Sequence, residues 1–128
     1  MKSILLLSTL LIALTATSQT TTYKTNKWGN TKQTQDHDWA TALDNPVKEN
    51  VIIVETPTSF KATFGQKVKV YKIVNSSAMD QDTKVYNTTM NAKPYTIKVM
   101  YISSDKSYAI LCENEWAVAN VTDAVVAK

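Results

Sequence analysis

From residue 20 onward, short runs rich in Val, Ile, Tyr and Thr alternate with clusters of Asn, Asp, Ser, Pro or Gly. The runs recur at intervals of about eight to twelve residues, the spacing of consecutive antiparallel strands. No segment of helical length places its apolar residues three and four apart. The pattern predicts strands at 21–28, 37–43, 50–56, 59–64, 68–74, 83–89, 94–102, 107–113 and 116–121. Between them it predicts a polar loop over 29–36, a long break from Asn75 to Asp82, and a frayed tail over 122–128.

Register follows from which pairings put like with like. A two-residue loop at Ser104-Asp105 sets Ile97 opposite Cys112, Val99 opposite Ile110 and Tyr101 opposite Tyr108, all on one face. The other face carries Thr96, Lys98, Met100, Ala109, Leu111 and Glu113 and is expected to be partly covered. The same test at Pro57-Thr58 pairs Val51 with Phe64, Ile53 with Ala62 and Glu55 with Phe60 on the core face. A three-residue loop Glu113-Asn114-Glu115 sets Cys112 against Trp116 and Ile110 against Val118. It is preferred to a two-residue loop that would turn Ala117, Ala119 and Val121 inward, because Trp116 holds the larger apolar area. In 68–74 the alternation slips between Val68 and Val70 and Tyr71 and Ile73, which predicts a bulge near Tyr71.

So many short antiparallel strands must hide their edges. The expected fold is all-β: an up-and-down meander of about eight strands forming a closed or nearly closed small barrel, with a two-sheet sandwich as the alternative. An eight-stranded barrel has room for its own side chains or for one small ligand. The functional question turns on which of the two fills it.

The first residues follow a different rule. Met1-Lys2 is a basic start, Ile4 to Ala13 is apolar apart from Ser8 and Thr9, and Ala16-Thr17-Ser18 offers small residues for cleavage. The reading is a signal peptide over 1–18 and one β-domain over 19–128, secreted or periplasmic after removal of the leader. The apolar run is too short for a retained span of about 20 residues, so no membrane span is expected.

Composition narrows the chemistry. All 14 basic residues are lysines, against 11 acids and a net charge of +3. Without arginine the chain lacks the planar fork that reads phosphate and guanine, and its lysines form no basic stripe, so nucleic acid is not an expected partner. Two glycines cannot build a phosphate cradle, and no cofactor is implied. Cys112 has no partner for an intrachain disulfide and sits in an apolar strand without a cation to activate it. It reads as buried filler.

Asp36-His37-Asp38 surrounds the single histidine with acids, yet neighbours on a strand point to opposite faces, and a metal site needs three or four ligands. No metal site is assigned. Glu113 and Glu115 flank a turn and read as solvated, and Asp80-Gln81-Asp82 lacks the glycine and closing glutamate of a calcium loop. No glycine-flanked serine is present for a hydrolase. These absences argue against an enzyme, and no catalytic residue is assigned. Trp28, Trp39, Tyr71, Tyr95, Tyr101, Tyr108 and Trp116 are the candidate ligand-binding residues, large rings able to line an interior or present a flat platform.

The leader ending before Gln19, the Tyr23 to Trp28-Gly29 stretch, and the run from Tyr95-Thr-Ile-Lys-Val-Met-Tyr101 to Glu115-Trp116-Ala-Val-Ala-Asn120 resemble small secreted β-meander proteins of Gram-negative bacteria. That resemblance implies no residue roles. The architecture is also similar to lipocalin-like barrels, although Trp28-Gly29 reverses their Gly-x-Trp opening and no arginine closes the barrel end. Two functions follow as expectations. The first is a non-enzymatic binding module engaging a protein or envelope component through a strand edge or an outer patch around Met100, Leu111 and Val118. The second is a small-molecule carrier with an aromatic-lined interior. A hydrolase or metalloenzyme ranks third.

Overall fold

The computed structural model describes residues 19–31, 43, 46–113 and 115–127. Among these the chain forms nine strands: β1 (Thr20–Asn30), β2 (Val47–Glu55), β3 (Ser59–Phe64), β4 (Lys67–Ala78), β5 (Thr83–Met90), β6 (Lys93–Ile102), β7 (Ser107–Cys112), β8 (Trp116–Val121) and β9 (Asp123–Ala127). Each strand from β2 to β7 pairs antiparallel with the next. β1 then joins both ends, pairing with β2 along its length and with β8 through Gly29↔Ala117 and Asn30↔Trp116. The result is the expected closed meander of eight strands, with β9 as an addition.

The inferred registers hold. Ile97↔Cys112, Val99↔Ile110 and Tyr101↔Tyr108 pair across β6 and β7, Val51↔Phe64 and Glu55↔Phe60 across β2 and β3, and Cys112↔Trp116 across β7 and β8. Their shared face is the core, with Val51, Ile53, Phe60, Ala62, Ile97, Ile110, Cys112 and Trp116 all buried. The outer face of the β6–β7 hairpin is partly covered, as its mixed composition implies, and Ala109 on it is fully buried.

Several local expectations are corrected. The β6–β7 connection is a four-residue turn over 103–106, with Lys106 at φ 51, so the same register is reached through a wider loop than Ser104-Asp105. The bulge in β4 falls at Val74, between Ile73↔Thr88 and Asn75↔Asn87, and not near Tyr71. Tyr71 lies opposite Phe60 and Lys69 opposite Ala62, so the alternation is kept, and Val68 and Val70 go to solvent at 53% and 52% exposure. β4 runs on to Ala78, where Asn75 to Asp82 had read as a break, because Asn75 to Ala78 pair with β5 and Asn87 Nδ2 donates to Asn75 Oδ1 at 2.7 Å.

Gly29 and Asn30 belong to β1 and close the barrel, and are not part of the polar loop expected over 29–36, whose residues 32–36 lie outside the described residues. The tail does not fray: Asp123 to Ala127 pair with Lys24 to Thr20. The strand expected at 37–43 lies outside the described residues apart from Leu43, as do residues 1–18, where a leader is expected.

A one-residue shift separates Ile110↔Val118 from Tyr108↔Val121. Asn120, at φ 56, occupies the left-handed region that asparagine tolerates better than most residues. The extra residue lets both Val118 and Val121 face the core.

Candidate functional site

The barrel is filled along its middle, and its openings lie at the two ends. The C-terminal end of β1, the N-terminal end of β2 and the β3–β4 and β7–β8 turns meet at one mouth. The opposite ends of these strands, with the β6–β7 hairpin, form the other.

At the first mouth a cleft of about 790 Å³ is lined by Trp28, Asn30, Val47, Glu49, Phe64, Gly65, Gln66, Lys67, Lys69, Glu115 and Trp116. Its floor is aromatic: Trp28 lies 5.0 Å from Phe64, and Phe64 lies 5.3 Å edge-on from Trp116. The stack continues inward from Trp116 to Tyr71 at 6.2 Å and from Tyr71 to Tyr95 at 5.5 Å. Trp28 Nε1 donates to Glu49 Oε1 at 2.8 Å, which fixes the indole against the rim. Gly65, at φ 60, brings the backbone so close that a Cβ there would sit 2.7 Å from Glu49 Oε2. The left-handed backbone favours glycine here, and a side chain at this position would also have to displace the Glu49 carboxylate that holds Trp28.

Charge lines the rim in both signs. Lys67 and Lys69 stand opposite Phe64 and Ala62, so the pleat turns them toward the barrel axis. Lys69 Nζ lies 3.8 Å from Glu115 Oε2. The Glu115 side chain is only 10% exposed, which corrects its reading as a solvated turn residue, whereas Glu113 stays exposed and pairs with Lys98 at 3.2 Å. Two glutamates against two lysines leave this lining neutral.

The second mouth holds a recess of about 400 Å³ lined by Gln19, Thr21, Tyr23, Glu55, Gln81, Asp82, Lys84, Tyr86, Val99, Tyr101 and Tyr108. Glu55 is its centre. Tyr23 donates to Glu55 Oε1 at 2.9 Å and Tyr86 to Oε2 at 2.7 Å, so both carboxylate oxygens are held by phenols from different strands. Burial first, then the Glu55 carboxylate, raises both phenols well above their ordinary value, so they remain neutral donors. Tyr108 stacks edge-on against Tyr23 at 5.3 Å and tilts against Tyr101 at 5.0 Å.

The structure therefore divides the candidate rings. Trp28 and Trp116 share the first mouth, Tyr101 and Tyr108 share the second, Tyr71 is sealed in the core with Tyr95 packed on it, and Trp39 lies outside the described residues. The residues missed from sequence are mostly the charged and hydroxyl-bearing ones: Glu49, Lys67, Lys69, Tyr23 and Tyr86. Strand alternation carried a signal for some of them. Glu49, Val51, Ile53 and Glu55 form one inward-facing row in β2, with a glutamate at each end.

Burial pushes the Cys112 thiol up to about 12, with Tyr71 beside it only partly offsetting the effect, so it is not a thiolate at neutral pH. Asp36-His37-Asp38 lies outside the described residues. Among the described residues no three His, Cys, Asp or Glu side chains are placed to hold a metal, and no helix is long and apolar enough to cross a membrane. The outer patch expected around Met100, Leu111 and Val118 does not form, because Val118 faces the core and the other two are half-buried. Apolar exposure is instead scattered, from Ile52 through Val68, Val70 and Val74 to Met79 and Val125. No family model, curated protein or solved structure matches the chain.

Proposed function

We propose that the protein is a non-enzymatic binding module working outside the cytoplasm, in the periplasm or beyond the cell, and that it receives a small amphipathic molecule at the Trp28 cleft. The observation that carries this reading is an open cleft of about 790 Å³ floored by Trp28, Phe64 and Trp116. That volume falls within the range of roughly 300 to 1,000 Å³ typical of ligand sites. Below the floor, Tyr71 and Phe60 leave no exposed surface, so the ligand rests on the mouth and does not enter the barrel. Aromatic faces suit an apolar or sugar-like ring, and a rim with both signs of charge suits polar groups at its edge.

Native mass spectrometry of the protein recovered from its own source tests this. The expected result is a retained small mass that is lost in Trp28→Ala. The reading is overturned if the wild type retains no small mass and its tryptophan emission does not respond to anilinonaphthalene sulfonate. Exposed apolar side chains on the outer surface, Ile52, Val68, Val70 and Val125 among them, favour a second reading, contact with another protein or an envelope component. A stable protein complex in the same spectrum supports it.

A further inference from the structure

We infer that the second mouth, around Glu55, is a binding site for an organic ammonium group. This site is independent of the Trp28 cleft. The two lie at opposite ends of the barrel and share no lining residue, so either can fail without the other.

Three observations lead to the assignment. Glu55 is a half-buried carboxylate whose hydrogen bonds come from Tyr23 and Tyr86, two neutral donors, and it has no ion-pair partner among the described residues. The phenols orient the carboxylate and partly solvate it, but its negative charge is left uncompensated. Aromatic surface surrounds the same space. Tyr101 is 36% exposed, and Tyr108 packs beside it and against Tyr23. The face of a phenol ring attracts a cation, and rings arranged around a carboxylate form the kind of surroundings in which ammonium groups are held.

The charge balance completes the case. The lining carries Glu55 and Asp82 against Lys84, a net single negative charge on a chain whose overall charge is +3. The Trp28 cleft, with two charges of each sign, is neutral. Lys84 is exposed and forms no ion pair with Glu55, so it leaves the carboxylate available. A recess of about 400 Å³ has room for a trimethylammonium head or the end of a lysine side chain.

The test compares charged probes with uncharged counterparts of the same shape, using calorimetry together with the tyrosine signals in NMR spectra. Choline is paired with 3,3-dimethylbutan-1-ol, and Nα-acetyl-lysine methylamide with its Nε-acetylated form. At least one charged probe is expected to bind about tenfold more tightly than its neutral counterpart. Whichever charged probe binds better identifies the source, a free quaternary ammonium or a lysine side chain of a partner. Glu55→Gln is expected to erase the preference for charge. Tyr101→Ala, at an exposed position that tolerates truncation, is expected to weaken binding about fivefold, and it keeps the test open if the Glu55 variant does not fold. Equal binding of charged and neutral probes, or no binding of any of them at about 10 mM, overturns the assignment. So do shifts that fall on Trp28 and not on Tyr101 and Tyr108.

Discussion

Tyr71 has no exposed surface, yet it carries a hydroxyl, and that hydroxyl has a defined task. Trp116 Nε1, buried with it, donates to it at 2.9 Å. Tyr71→Phe keeps the ring and removes the acceptor. A buried donor left without a partner costs about 1–3 kcal/mol, so the variant should melt several degrees lower while keeping its strand signal in circular dichroism. Tyr101→Phe at the rim removes a hydroxyl that water can replace, and its stability should stay within about 0.5 kcal/mol of wild type. Equal melting temperatures for the two variants would mean that the indole finds another acceptor. At this scale the sequence was legible only where neighbours along the chain decide the outcome. Alternation in β2 placed Glu55 beside Phe60 on the inner face, as observed. It gave no sign that Tyr23 and Tyr86 would grip that carboxylate, since they arrive from strands 32 and 31 residues away.

Among the elements, β9 is where local pattern and tertiary structure part most clearly. Asp123-Ala-Val-Val-Ala is too short and too weakly alternating to announce a strand, and read alone it frays. It is ordered by β1, whose residues 20–24 extend past the last pairing of β8 and would otherwise present an open edge. Ala124 sits opposite Tyr23 and packs on the core, while Val125 faces outward beside Thr22. Ending the chain after Val121 should therefore uncover the first half of β1. The truncated protein is expected to lose a few kcal/mol of stability and to form dimers or larger species by size-exclusion chromatography, through pairing of the freed edges. A truncated chain that remains monomeric with an unchanged melting temperature would show β9 to be ornamental. The hairpins were readable because a register error of one residue would turn a whole apolar row to solvent, a penalty visible in sequence. The bulges at Val74 and Asn120 were less so, since each fits the barrel's curvature, which depends on strands distant in the chain.

Across the whole molecule, the barrel keeps neutral several groups that the unfolded chain would ionise in mild alkali. Burial raises Tyr23, Tyr71 and Tyr86 above their ordinary value of 10.0, and it lifts Cys112 from 9.0 to about 12. The direction of the resulting pH dependence follows from where the protons are. Below pH 9 both states hold all four protons, and these groups contribute no slope. Above pH 9 the unfolded chain releases the Cys112 proton, and above pH 10 the three phenol protons, while the folded chain still retains them. Stability then falls by up to about 1.4 kcal/mol per pH unit for each such group. Unfolding in alkali should accordingly be steep and cooperative, setting in above pH 10 as the phenols join the thiol. Tyrosinate absorbance and far-ultraviolet circular dichroism, followed together, check this. Three of the six tyrosines should ionise only as the strand signal collapses. Ionisation of all six in one step while the strand signal persists would mean that the barrel admits hydroxide and that its interior is wetter than its packing indicates.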